Sequence, residues 1–380
     1  MRIPVLDSLR GLFALAIVLL HGPFQANLHY AKFVSNSAVF VDFFFVLSGF
    51  VIALAYGERV RNGRSLGGFL IRRTGRLWPL HAFVLLLFLL VLTAKVLADR
   101  LGFFSADLNY TLPEIQRYAV ENAFLVQSFR NDTVYWLNFP SWSISVEFWV
   151  YIVFGILCLT PRLLPPAALV VMALATAVML GAIDPGFGHF FGDGLYRGLC
   201  FFFLGYLTCL LWHRVRHFAL PAPHVLEVAL VALVIWQVGL TDPSPTSFLL
   251  PLTFAATILV FSYEAGAVSS LLKTRPLLKL GALSYSIYMV HIFVYSLIGL
   301  GTRFAERLTH RSFQSPDLAN PDANALLDFG PMFVNDLVMM AAAALVVFCA
   351  AQTYRFIELP GQRLARSIAR DFEARPAVER

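Results

Sequence analysis

The chain holds 380 residues with a formal net charge of +6; 58% are hydrophobic, 14% are charged, and the mean hydropathy is +0.71. A soluble globule that apolar cannot cover its own core, so the composition excludes a soluble domain and points to a polytopic helical membrane protein. The basic residues gather at the ends of apolar runs, which excludes a nucleic-acid partner. Cys158, Cys200, Cys209 and Cys349 lie inside apolar runs without metal-ligand spacing, so neither disulfides nor a metal are expected.

The first apolar run, residues 5–26, reads LDSLRGLFALAIVLLHGPFQ in its central part and carries two polar intruders, Arg10 and His21. Eleven residues at about 100° each make roughly three turns, so both side chains share one helix face, roughly 16 Å apart along the axis. Ionisable groups in a spanning helix are costly and face a bundle interior or a water-filled cavity. The run lacks a small-x-small cleavage site and leads straight into a second apolar run, so it reads as a span and not as a signal peptide.

About ten runs are long enough to cross a bilayer: roughly 5–26, 38–56, 79–98, 141–160, 165–183, 194–212, 224–240, 246–263, 279–299 and 332–353. No internal repeat and no soluble domain is evident. The organisation expected is one transmembrane domain over 1–358 and a basic cytoplasmic tail over 359–380. Orientation follows from the positive-inside rule. With Arg2 in the cytoplasm, the loops 57–78, 160–164, 213–223 and 264–278 and the C-terminal tail carry most of the Arg and Lys, while 184–193 and 241–245 carry Asp and neither Arg nor Lys. The fold class expected is an all-α integral membrane protein, a polytopic bundle of about ten transmembrane helices with both termini inside (N-in/C-in).

That topology fixes depths. His21 lies in the outer half of the first span. Glu147, in PSWSISVEFWVY at the start of the fourth, lies in the outer half too, with Ser143, Glu147 and Tyr151 on one face. His21 and Glu147 can therefore meet as a general-base pair, the carboxylate orienting the imidazole. Asp42 and Ser48 in the second span, Ser143 in the fourth, and Tyr288 and His291 in the ninth, beside Ser284, form a possible secondary site; for Ser48, Tyr288 and His291, hydrogen bonding that fixes helix packing is an equal reading. Arg72, Arg73 and Arg76, just before the third span, serve either as topology anchors or as a grip on the phosphates of an anionic cosubstrate.

Six motifs in order along the whole chain carry a resemblance: LDSLRGLFALAIVLLH, VDFFFVLSGFVI, RRTGRLWPLH, WSISVEFWVY, LSYSIYMVH and YRFIELPGQRL. On them the sequence resembles the membrane-bound acyltransferase family 3, which O-acylates bacterial surface polysaccharides, lipopolysaccharide, nodulation factors and some macrolides. The resemblance implies a bacterial inner-membrane enzyme that takes an acyl group, usually acetyl, from cytoplasmic acyl-CoA and delivers it to a hydroxyl of a carbohydrate or glycolipid acceptor. It implies that His21 is the catalytic base and Arg10 its motif partner. Arg72, Arg73 and Arg76 help bind the acyl-CoA (acetyl-CoA) phosphates, and Glu147 supports the reaction centre.

The residues suit that chemistry. Acyl transfer from a thioester needs a base near the hydroxyl, a donor for the developing oxyanion and cationic grip on the phosphates. Direct transfer and a covalent acyl-enzyme both stay open at this point. Acceptor choice would fall to the outer segments 99–140 and 300–331. The competing class is a proton-coupled transporter using the intramembrane Arg, His and Glu as a relay; the lack of a repeat with paired broken helices weighs against it.

Overall fold

The computed structural model describes residues 2–101, 112–129, 138–179, 194–240, 249–320 and 325–374. The expected outer loops 184–193 and 241–245 lie outside these residues, as do parts of 99–140, 165–183, 246–263, 300–331 and 359–380. In chain order the helices are α1 (Pro4–Leu20), the short α2 (Asn27–Tyr30) and α3 (Lys32–Ser35), α4 (Phe40–Tyr56), α5 (Gly63–Arg100), α6 (Leu112–Ala123), α7 (Trp142–Leu157) and α8 (Leu164–Met179). There follow α9 (Gly194–Val215), α10 (Pro223–Leu240), α11 (Leu249–Phe261), the short α12 (Ala267–Leu272), α13 (Arg275–Thr309), α14 (Met332–Thr353) and α15 (Leu359–Ala374). A two-residue antiparallel pair, β1 (Gln314–Ser315) with β2 (Leu326–Leu327), is the sheet structure among the described residues.

The protein is an all-α membrane protein. Six helical stretches are long and apolar enough to cross a bilayer: Ser37–Tyr56, Gly63–Arg100, Phe139–Leu157, Gly194–Val215, Arg275–Thr309 and Met332–Ala374. The other predicted runs hold the shorter apolar helices α1, α8, α10 and α11.

Several stretches expected to be loop or tail are helical, among them α6 and α12 and the two that pack against each other in the second unit. Residues 63–78 form the first half of α5, because Asn62 caps it: its side chain accepts from the Ser65 N–H at 2.9 Å, while the Asn62 N–H donates to Ser65 Oγ at 3.1 Å. Residues 359–374 form α15, joined to α14 by a π-helical turn at Tyr354–Glu358.

Contacts group the chain into two compact units, Met1–Val51 with Leu204–Gln352, and Ile52–Phe203 with Thr353–Arg380. The spine of the first is the α1–α13 pair. A Cβ built on Gly11 would lie 2.6 Å from the Gly281 nitrogen, and one on Gly281 would meet the Asp7 carbonyl, so these helices cross backbone to backbone. Gly11 meets Gly281 and, ten residues on in both helices, His21 meets His291. The two helices therefore run parallel and in register. Around them pack Phe13 stacked on Phe40 at 4.0 Å, with Phe43 and Phe254 edge to face at 5.5 Å.

In the second unit α15 runs antiparallel along the first half of α5. Gly68 faces Glu373, Gly75 faces Ala365, and Gly361 faces Pro79. Each glycine removes the side chain that would hold the two helices apart, and the seven-residue step from Gly68 to Gly75 keeps both on one face. Tyr56, Phe69, Tyr151, Phe154 and Phe202 form an aromatic cluster beside this seam.

Candidate active site

The α1–α13 seam carries the polar groups of the first unit. At its lower end the Arg10 guanidinium donates from Nε to Ser284 Oγ at 2.7 Å and from Nη2 to the Gly281 carbonyl at 3.3 Å. Asp7 lies 3.2 Å from Nη2, and Asp7 also pairs with Arg2 at 2.8 Å. The fork geometry of arginine lets it serve three partners at once, which a lysine ammonium on a flexible stem would not hold in place.

At the other end His21 occupies the C-terminal cap of α1, its backbone N–H donating to the Ile17 carbonyl. Its Nδ1 lies 2.9 Å from Nε2 of His291, and the rings stack 5.1 Å apart at 25°. His291 is fully buried, and its Nδ1 lies 2.7 Å from the Tyr288 carbonyl. Tyr295 donates its hydroxyl to the Val18 carbonyl at 2.9 Å, a further tie between the two helices.

The chain beyond His21 is also pinned. Leu327 donates to the Pro23 carbonyl at 2.7 Å, and Gln25 donates to the Leu327 carbonyl at 2.9 Å. Buried Asn335 donates to the Gln25 carbonyl at 3.0 Å and accepts from the Phe329 N–H at 2.8 Å. His21 thus sits between a helix end and a short clamped strand, both of fixed position. Of the secondary set, His291 joins His21 and Tyr288 joins His291 through its carbonyl, while neighbouring Ser284 joins Arg10. Asp42 is buried in the first turn of α4, and Ser48 lies farther along the same helix.

In the second unit the three arginines before the apolar half of α5 point three ways. Arg72 makes a two-pronged pair with Glu373, at 3.1 and 2.5 Å. Arg73 donates to the Tyr56 hydroxyl at 3.1 Å and lies over the Tyr56 and Tyr151 rings, 5.0 and 5.8 Å from their centres. Arg76 pairs at 3.1 Å with Glu358, whose side chain is buried and also accepts from Gln362 at 2.9 Å. Of the three, Arg72 lines a cavity of about 630 Å³ together with Tyr56, Arg59, Val60, Asn62, Arg64, Ser65 and Glu373. Three guanidinium groups and one carboxylate leave this cavity cationic.

Ser143, Glu147 and Tyr151 share a face of α7 as the spacing of four predicts: Tyr151 donates its hydroxyl to Glu147, and Ser143 donates to the Pro140 carbonyl at 3.1 Å. Glu147 belongs to the second unit and His21 to the first. Within its own unit, His21 is partnered by His291.

Two features escaped the sequence reading. One is the His21–His291 contact. Its signal was the matched spacing of Gly11 to His21 and Gly281 to His291, ten residues in each helix. The other is the place of Arg59 and Arg64 beside Arg72, since positive-inside bias gives every cytoplasmic loop such residues.

Residues 3–355 match the acyltransferase 3 family, described as an acyltransferase domain. A protein of Bacillus subtilis, "Putative peptidoglycan O-acetyltransferase YrhL", is 27% identical over 342 residues, which cover 80% of this chain and 50% of the relative. "Acyltransferase MdmB" of Streptomyces mycarofaciens is 24% identical over 324 residues, 77% of this chain and 79% of the relative. "Protein 2 in picA locus" of Rhizobium radiobacter is 40% identical over 87 residues, 23% of this chain and 44% of the relative. The matched segments thus span about half the length of the Bacillus and Rhizobium relatives. No solved structure matches.

Proposed function

The chain belongs to acyltransferase family 3, and from that premise we propose that this membrane acyltransferase moves an acyl group, acetyl first among candidates, from cytoplasmic acyl-CoA to a hydroxyl of a glycan, glycolipid or similar acceptor. The observation that carries this reading is the polar seam of α1 and α13, with Arg10 held on Ser284 at one end and His21 held on His291 at the other. A base in a fixed position inside an apolar bundle is what abstraction of a hydroxyl proton requires.

The step balances without a co-reactant. His21 takes the proton of the acceptor hydroxyl, the oxygen bonds to the thioester carbonyl carbon, and the carbon–sulfur bond breaks. The proton then leaves with the thiolate as CoA. The phosphates of acyl-CoA fall to the cationic cavity, with Arg72, Arg59 and Arg64 as their partners. Arg76, tied to a buried carboxylate, keeps a structural role, since removing it would strand the Glu358 charge.

We read ten spans with both termini inside, in a bacterial inner membrane. The parallel run of α1 and α13 supports the count. Two parallel spans require an odd number of crossings between them. Four long helices lie between α1 and α13, and α8, α10 and α11 bring the number to seven.

The test is transfer of label from acetyl-CoA in membranes holding the protein, with native glycan and lipid extracts as acceptors. Label in either fraction that depends on the protein supports the reading. Solute uptake into vesicles without acyl-CoA, and no transfer to any extract, would contradict it.

A further inference from the structure

The contact between the two histidines is directional. A carbonyl oxygen only accepts, so the nitrogen of His291 that meets the Tyr288 carbonyl at 2.7 Å, Nδ1, carries a hydrogen. In a neutral imidazole the other nitrogen is then an acceptor, and that nitrogen, Nε2, is the one 2.9 Å from His21 Nδ1. For the contact to be a hydrogen bond, His21 donates from Nδ1; the His21 ring also meets the Ile17 carbonyl. We propose that His291 is a positioning residue which fixes the proton of His21 on Nδ1 and so presents the lone pair of Nε2 to the acceptor hydroxyl. The chain of donors runs from His21 through His291 to the Tyr288 carbonyl. This inference rests on the reading of His21 as general base and gives to His291 the orienting role that the sequence spacing had offered to Glu147.

Three observations make His291 suited to this. It is fully buried, so water does not compete for its Nε2. It stands on α13, which is locked to α1 by the Gly11–Gly281 crossing, so the distance between the rings is set by two backbones and not by side-chain freedom. Its imidazole can also fill the place in a neutral form. A carboxylate in the same place would bury an anion among apolar helices, a costly arrangement that a neutral imidazole avoids. When His21 gains its second proton, the Nδ1–H still points at the His291 lone pair, and the charge is shared with a ring that is itself anchored on a carbonyl.

The experiment uses the full chain in lipid nanodiscs, with wild type, His21→Ala, His291→Leu and His291→Gln. Two readouts are taken: steady-state label transfer from acetyl-CoA to the extract that wild type acylates, and the imidazole nitrogen-15 resonances of histidine-labelled protein, assigned by their loss in each variant. The expectation for His291→Leu is a kcat lower by about 10²-fold, within the range for misdirected general-base catalysis, with KM for acetyl-CoA within about twofold. His291→Gln, whose amide oxygen reaches the place of Nε2, should recover kcat to within about tenfold of wild type. In wild type the His21 resonances should show Nδ1 protonated and Nε2 bare, and His291→Leu should shift the proton toward Nε2. An inactive His21→Ala beside a His291→Leu protein of wild-type kcat would overturn the positioning role and leave the base in place. So would a wild-type His21 protonated on Nε2. Full activity in His21→Ala would instead remove the base assignment itself.

Discussion

Arg72 meets Glu373 in a geometry that a phosphate group reproduces, two oxygens against the two prongs of a guanidinium. In the proposed reading the carboxylate is therefore a resident competitor for the phosphates of acyl-CoA. A glutamine in its place keeps the shape and removes the charge, so E373Q should lower KM for acyl-CoA by about threefold, the scale of a partly exposed ion pair. An unchanged or higher KM would place the phosphates elsewhere. Asp328 gives a second residue-scale test. The Asn335 amide and the Gly330 N–H hold its pKa below the ordinary carboxylate value. A lowered carboxylate contributes stability that is present above its unfolded value of about 3.9 and lost as pH falls through the folded one. Hydrogen-exchange protection of Phe329 and Gly330, corrected for intrinsic rates, should be flat above about pH 5 and fall below about pH 4, and Asn335→Ala should weaken that dependence. Protection that stays level throughout would show that the Asp328 contacts do not hold this loop. At this scale the sequence was legible where a polar residue interrupts an apolar run: Arg10, His21, Glu147 and His291 stand out at once. Buried Glu227 did not, although it accepts from the Gly266 and Ser269 N–H groups at 2.8 Å. A carboxylate that caps a distant backbone segment leaves no local pattern.

Helix pairing rests on glycines. At Gly281 any side chain would meet the Asp7 carbonyl, which is backbone and cannot turn aside. Gly281→Val should separate α1 from α13, destabilise the fold by about 1–3 kcal/mol as an overpacked site does, and cut kcat by at least about tenfold through the displaced His21. KM for acyl-CoA should hold, because the cationic cavity lies in the other unit. Thermal unfolding in detergent with steady-state kinetics measures both, and wild-type kcat in this variant would contradict the role of the crossing. The apolar runs marked the main apolar helices, though not the polar α6 and α15, because spanning length and hydropathy are properties of composition. Helix ends were harder to read. The segment from Gly63 to Trp78 looked like a loop for its glycines and arginines, yet those glycines are the face that receives α15, and Asn62 with Ser65 was a readable capping box. The partner of that face lies at the far end of the chain, and nothing local announces it.

For the molecule as a whole, the parity of crossings links packing to topology. With both α1 and α13 across the bilayer, their parallel run calls for an odd number of spans between them; the four long apolar helices there are an even number, and the proposed ten-span arrangement adds α8, α10 and α11. Single cysteines placed in the segments before and after each of these helices, labelled from one side at a time with an impermeant reagent, should put 184–193 and 241–245 outside and both termini in the cytoplasm. Labelling of 213–223 from the outside would break the ten-span reading. The apolar helices were legible in order along the chain, whereas the meeting of α1 and α13 was not, because contact between helices distant in sequence depends on small residues whose effect appears only in three dimensions. His21 as the base of a membrane acyltransferase is tested by label transfer from acetyl-CoA in membranes carrying wild type or His21→Ala at matched expression. Label should reach a glycan or lipid fraction with wild type and fall by at least about 10²-fold with the variant; equal transfer by both proteins would contradict His21 as the base.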